Sequence, residues 1–391
     1  MINRSVLAIV DTTEITCQGH FNRLQSRHEL GLVSDNRSLG YFLQPILCLD
    51  QFSNYPLGIG GVHLWNRTGE PLVHHSKRLI TERESDKWFT PLKQARDTVL
   101  RSAEQITFVM DREADIYEIL EGIPDHRTNV VIRSNHNRIV GTAGRLIHLD
   151  KFVNALPVRG SLCITLQSHK RCGQRIEATV RFGKVEVPKT MNGIYLPQTR
   201  DVIPMYIVDV AEVSRKGKRK ERVHWRLWTS IPVKTLKQAK QIVDIYKSRW
   251  HIEELFRLMK TEAFDIESSE LEKPQNLFKL GVLVMEASVI IAQLKSVRDI
   301  ESEIKVETVF TPPEIECLQA LDLDLKGTTE KQSNPFNPQS LSWASWIIAR
   351  IGGWKGYKSQ RPPGSITYKQ GLERFYDFYE GFQLAKLMYK R

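Results

Sequence analysis

The residues best placed to do chemistry are three acids and a group of bases that lie far apart in the chain. In Tyr246-Lys-Ser-Arg-Trp-His-Ile-Glu-Glu-Leu-Phe-Arg-Leu-Met-Lys260 there is no proline or glycine, and the stretch reads as one helix. At about 100° per residue, Tyr246, Arg249, Glu253, Arg257 and Lys260 share an arc of roughly 80°. Ile252, Leu255, Phe256 and Met259 point the other way. One face thus carries a carboxylate among three cations and a phenol, a pattern suited to a polyanion, with or without a metal. The competing reading is a basic surface helix.

Two further acids end apolar runs. Ser5–Val10 is followed by Asp11, and Ile106–Met110 by Asp111. An aspartate at a strand end is most often a turn former. Three carboxylates converging on one point repel one another unless cations sit among them, and hard divalent ions with oxygen ligands fit that role. Two such ions about 3.5–4 Å apart can activate an attacking oxygen and stabilise a leaving one in phosphoryl transfer. They would also pull the carboxylate pKa values down, so that all three acids work ionised. The chain has no histidine pair at zinc spacing, no GxSxG and no GxxxxGK[ST].

The elements that must position these acids read as mixed α/β. Ser5–Val10, Leu39–Leu49 and Leu57–Trp65 form an expected antiparallel meander. A helix follows within Thr81–Arg101, starting near Ser85 with Pro91 in its first turn. Ile106–Met110 is a strand, Arg112–Leu120 a short helix and Asn129–Arg133 a strand. A crossover of this kind could set Asp11 and Asp111 side by side. From about 146 to 232 short alternating segments appear: Ser161–Leu166, Ile176–Phe182, Gly183–Val187, Val202–Val210 and Val223–Ser230. This β-rich stretch contains the strongest charge run, Arg215 to Arg222, either a solvated hairpin tip or a phosphate-binding one. Helix resumes at Thr235, and Asn276–Lys295 is long and apolar. Asp299–Glu307 is polar and acidic, residues 327–338 have linker composition, and the tail reads as helices at Leu341–Arg350 and Lys369–Leu387, joined by a Gly/Pro-rich connection, Gly352–Ser365. The expected domains are a catalytic core in two parts (1–145 and 233–298), the insertion (146–232) and a helical module (299–391).

The 391 residues carry a net charge of +11 and a pI near 9.3, which favours nucleic acid as partner. Five scattered cysteines without CxxC spacing argue against a zinc site or disulfide framework and imply a reducing, cytoplasmic setting. The first residues do not read as a signal peptide. No apolar run reaches membrane-spanning length, and Leu280–Leu294, which contains Glu286, reads as a buried helix.

With these residues in view, the chain resembles the DDE cut-and-paste transposases of bacterial insertion sequences, in the insertion-sequence-four group marked by a Y-(2)-R-(3)-E-(6)-K signature. Tyr246, Arg249, Glu253 and Lys260 meet that spacing, alongside Asp11-Thr-Thr and Asp111-Arg-Glu-Ala-Asp-Ile. The segment Arg83–Trp88 and Gly352-Gly353-Trp354 also look like family features, and the likeness runs from Leu7 essentially to the C-terminus. The resemblance implies a ribonuclease-H-like α/β fold interrupted by the β-rich insertion. Asp11, Asp111 and Glu253 would be catalytic and hold two magnesium or manganese ions. Tyr246, Arg249 and Lys260 would contact phosphates at a transposon end. Arg257 shares their face, and Arg133 resembles a further end-binding arginine. Trp225 would stack a flipped base, with Trp228 the second candidate and core packing the competing role for either. The implied reaction is hydrolytic nicking, attack of the freed 3′-hydroxyl on the opposite strand to form a hairpin, hairpin opening and transfer to target DNA, by a homodimer on double-stranded DNA in the bacterial nucleoid.

Relatives carry a helical end-recognition domain before the first catalytic strand, whereas here Asp11 follows only ten residues. A truncated chain acting as a non-transposing remnant or an inhibitor through dimerisation is therefore the alternative expectation. A structure-selective nuclease on the same fold is a third.

Overall fold

The structure is a computed structural model. It describes residues 3–25, 27–67, 80, 84–142, 144–167, 171–190, 193–213, 222–326, 333–357 and 360–389. The chain divides into two compact units, one of residues 1–18 and 27–254, the other of 19–26 and 255–391.

In the first unit the strands are β1 (Ser5–Val10), β2 (Thr13–Thr16), β3 (Gly31–Leu32), β4 (Leu39–Asp50), β5 (Pro56–Trp65), β6 (Gln105–Met110), β7 (Thr128–Arg133), β8 (Ile139–Thr142), β9 (Arg145–His148), β10 (Gly160–Thr165), β11 (Arg175–Pro188), β12 (Val202–Glu212) and β13 (His224–Thr229). Its helices are α1 (Thr90–Asp97), α2 (Tyr117–Gly122), α3 (Leu149–Ala155) and α4 (Leu236–Lys247). α5 (Trp250–Arg257) contains the boundary between the units. The second unit holds α6 (Pro274–Val297), α7 (Pro312–Asp324), α8 (Leu341–Ile351) and α9 (Ser365–Tyr389).

β1 lies at the heart of the sheet. It runs antiparallel to β4, with Val6 opposite Asp50, and parallel to β6, with Val10 opposite Met110. β6 is parallel to β7. The core order is therefore β5-β4-β1-β6-β7. Strands covered on both faces have no need of alternation, so β1 and β6 are continuous apolar runs. Val6, Ala8 and Val10 join Trp88, Leu92, Phe108 and Leu120 in one apolar cluster. β4 and β5 form the expected meander with β1, and the short β2 and β3 add to β4.

The β-rich stretch does not make a sheet of its own. β13 pairs antiparallel with β7, and β12, β11, β8 and β9 continue the same sheet outward. Ile176–Phe182 and Gly183–Val187, read as separate segments, are the single strand β11. Gly183 does not break it. A side chain there would press on Phe152 and Leu156 at 3.1 Å, so the glycine makes room for α3. The charge run at residues 215–221 lies outside the described residues.

Three other expectations are corrected. Within Thr81–Arg101, residues 81–83 lie outside the described residues, Glu84–Trp88 form a 3-10 turn, and only Thr90–Asp97 is α-helix, with Pro91 in its first turn. Arg112–Leu120 is not one helix: a 3-10 turn over Arg112–Ala114 stops at Asp115, whose backbone is non-helical, before α2 begins. Tyr246–Lys260 is likewise broken. α4 ends at Lys247, Ser248 and Arg249 turn with tight bonds to Ile245 and Tyr246, and α5 gives way to a π-helical turn over Leu258–Glu262.

In the second unit α6 packs on α8 and α9. By length and composition α6 could cross a membrane, contrary to the sequence expectation that no apolar run is long enough. Half of its most apolar window is buried in the fold, and Glu286 is exposed, which suits a core helix. α8 and α9 meet backbone to backbone: a Cβ on Gly371 would lie 2.0 Å from the Ile348 carbonyl oxygen, and one on Gly352 2.1 Å from that of Thr367. α7 was not expected. It buries only Cys317 and Leu318, so it has little apolar periodicity to read, and a Thr311–Glu314 capping box and two leading prolines start it.

Candidate active site

The first unit brings four of the singled-out residues onto one end of β1 and β6. Because Val10 and Met110 are register partners in parallel strands, Asp11 and Asp111 leave the sheet at the same level. Asp11 accepts the Thr12 amide at 2.9 Å on one oxygen and an Arg249 amino group at 2.7 Å on the other. The same guanidinium donates to Glu253. Arg249 therefore bridges an acid from the first strand and an acid from α5. Asp111 uses one carboxylate oxygen to cap the turn that follows it, accepting the Glu113 amide at 2.7 Å.

The electrostatics follow from that crowding. Burial pushes the Asp11 carboxyl up to about 7; Arg249 and the Thr12 amide oppose this, while the charges of Asp111 and Glu253 add to it. The Arg249 guanidinium is disfavoured by burial, but Tyr246, Asp11, Glu253 and Asp111 more than compensate and raise its pKa. Burial also raises the Tyr246 phenol. The sequence expectation of ionised acids presupposed bound cations. In the chain alone, Asp11 shares its charge balance with an arginine instead.

Among the described residues no group of three or more His, Cys, Asp or Glu is gathered closely enough to hold a metal ion. The donor set nonetheless fits one chemically. Three carboxylates on neighbouring elements are hard oxygen ligands, and the positive charge between two of them comes from Arg249.

Beside the acids is a cavity of about 230 Å³ whose lining includes Arg133, Trp225, Tyr246, Arg249, Trp250 and Glu253. Trp225 meets Tyr246 edge to face, with ring centroids 5.5 Å apart. Tyr246 is buried rather than displayed on a polar face. The two tryptophans of β13 separate cleanly: Trp225 is half-buried at the cavity, and Trp228 is wholly buried opposite Ile132. Arg257 and Lys260 belong to the second unit, where Lys260 lies on the π turn 3.5 Å from Glu267.

Reading the sequence passed over Trp250, although an aromatic between Arg249 and Glu253 was a visible signal. It also gave Asp115 no separate role. Asp115 is buried and accepts the amides of Asn135 and His136 at 2.8 and 3.0 Å, and it pairs with Arg138 at 2.9 Å. It holds the loop after β7 against the strand ends.

A model of a known family, the transposase DDE domain, matches residues 89–289, just over half of the chain. The chain belongs to that family. The matched region contains Asp111, Tyr246, Arg249, Glu253 and Lys260, and it begins after Asp11. A transposase of this kind is a nuclease and strand-transfer enzyme, its partner is DNA, and such enzymes generally use divalent metal ions. The mixed α/β architecture, with its large and mostly antiparallel sheet, is consistent with this family.

Proposed function

We propose that this transposase belongs to the insertion-sequence-four group, and that it cuts and transfers insertion-sequence ends through a hairpin at a site made of Asp11, Asp111 and Glu253. The observation that carries this reading is the single guanidinium of Arg249 joining Asp11 to Glu253, with Asp111 in register beside Asp11. The order β5-β4-β1-β6-β7, three antiparallel strands followed by two parallel ones, supports a ribonuclease-H-like core.

In this reading Asp11, Asp111 and Glu253 hold two magnesium or manganese ions. When bound, the ions supply Lewis acidity for the attacking and leaving oxygens of an in-line displacement. In the first unit Arg249 and Tyr246 hold backbone phosphates and Arg133 adds positive charge; in the second unit Lys260 is a further phosphate contact and Arg257 a further positive charge. Trp225 offers a half-buried face for an extruded base; extrusion costs a few kcal/mol, which stacking offsets. Water first attacks a phosphodiester and releases a 3′-hydroxyl. That hydroxyl attacks the opposite strand, a second water opens the hairpin, and the 3′-hydroxyl finally attacks target DNA. Each step makes one phosphorus–oxygen bond and breaks one, so no protein nucleophile is required.

Residues 299–391 serve as the dimerisation module. The exposed Phe378, Leu384, Leu387 and Met388 of α9 support that role. The test is electrophoresis of a labelled terminal duplex after incubation with the protein and Mg²⁺. Nicked and hairpin products are expected from wild type, and neither from Glu253→Gln.

A further inference from the structure

We propose a second anion site, distinct from the three acids, that holds a DNA backbone phosphate; it rests on the reading of the chain as a DNA strand-transfer enzyme. The site is a cavity of about 350 Å³ whose lining includes Arg112, Arg133, His136, His224 and Arg226. Asn135, Asn137 and Ser134 complete the lining, and no carboxylate takes part in it among the described residues.

Two buried aspartates stand behind these bases and fix them. Asp209, 3% exposed, takes His224 Nε2 at 2.7 Å and Arg226 Nε at 3.0 Å on one oxygen. Asp115, 1% exposed, anchors Asn135, His136 and Arg138. Charge counting shows what these contacts leave over. Arg226 balances Asp209, and Arg138 balances Asp115. Arg112 and Arg133 remain in surplus. The Arg112 side chain is exposed and makes no hydrogen bond or ion pair among the described residues. Among the described residues Arg133 donates a hydrogen bond only to the His224 carbonyl oxygen, at 3.3 Å.

Two guanidiniums without an ion-pair partner among the described residues line one concave surface that no described carboxylate joins, an arrangement that an anion would stabilise. A planar guanidinium matches a phosphate's paired oxygens, and amide and hydroxyl groups can complete its shell. Arg133 also lines the cavity that contains Trp225 and Glu253. A strand whose base enters that cavity can therefore lay a neighbouring phosphate in this one. The phosphate could come from the strand at a duplex end or from internal duplex DNA.

Equilibrium binding in EDTA separates these cases from chemistry. Affinity for a short linear duplex is measured across a salt series for wild type, Arg112→Gln, Arg133→Gln and the exposed Arg145→Gln as control. Each lost phosphate contact lowers the slope of log affinity against log salt by about 1. That drop is expected for Arg112→Gln and for Arg133→Gln, and not for Arg145→Gln. Thermal unfolding checks that each variant remains folded; Arg112→Gln, on an exposed turn outside the cavity of Trp225 and Glu253, decides the test. A drop confined to linear DNA assigns the phosphate to an end, whereas the same drop on a covalently closed circular duplex assigns it to internal DNA. Unchanged slopes in a wild-type protein that binds DNA would overturn this site and leave the functional reading standing. A wild-type protein that binds neither DNA would overturn both.

Discussion

The Arg249 guanidinium donates to Asp11 at 2.7 Å and to Glu253 with its other amino group, joining residues from opposite ends of the first unit. All three side chains are one-fifth to one-third exposed. Breaking a fully buried pair costs about 3–5 kcal/mol, and partial exposure reduces that. Arg249→Gln should therefore lower stability by about 2 kcal/mol in denaturant titrations without metal. Because no guanidinium then competes with a divalent ion for Asp11 and Glu253, Mg²⁺ or Mn²⁺ should raise the unfolding midpoint more in Arg249→Gln than in wild type. Equal shifts would mean that arginine and metal do not share the acids.

Asp11 makes stability depend on pH with a defined sign. Its folded pKa of about 7 lies above the ordinary value of 3.8, so the native chain holds a proton that the unfolded chain releases. The resulting stability is fully present below about pH 4 and is lost as pH rises through 7. Asp11→Asn cannot ionise. Metal-free denaturation should find it gaining on wild type between pH 5 and pH 8, and a constant difference would contradict the burial of this charge.

The two tryptophans of β13 should give opposite phenotypes. Trp228 is wholly buried, so Trp228→Ala should cost about 3–5 kcal/mol. Trp225→Ala should cost much less stability, yet reduce the fluorescence gain of a 2-aminopurine placed at the terminal base of a bound duplex. Base extrusion at Trp225 is ruled out if that signal is unaffected.

Gly371 tests the packing of the second unit. With the Ile348 carbonyl oxygen 2.0 Å from a new Cβ, Gly371→Ala must push α8 and α9 apart. A loss of about 3 kcal/mol is expected, seen as a lower unfolding temperature. Gly381→Ala, where a Cβ meets nothing within 4 Å, is the control and should be neutral or slightly stabilising.

Some of this was legible in the sequence because it is local. β1 and β6 are short apolar runs that end abruptly at an aspartate, and strand burial on both faces writes such runs directly. The signature spacing of Tyr246, Arg249 and Glu253 was also legible, but the reason for it was not. An unbroken helix was expected, whereas the turn at Ser248–Arg249 sets Tyr246 into the interior and Arg249 onto Asp11. No local pattern encodes a partner 238 positions away. β9 was missed because it is mostly exposed and carries no alternation, and Gly183 looked like a break because the helix it accommodates is not adjacent in sequence. Which tryptophan of β13 faces the cavity depends on register with β7, which pattern alone leaves open.

The most direct test is cleavage of a labelled insertion-sequence end in Mg²⁺ by wild type and by Glu253→Gln, with folding of both checked by thermal unfolding. Loss of one essential member of a site that acts as a unit should slow cleavage by on the order of 10³-fold or more. Wild type should release a 3′-hydroxyl end and the hairpin, while Glu253→Gln still binds the duplex without cutting it. Equal cleavage by the two proteins would contradict the site built on Asp11, Asp111 and Glu253.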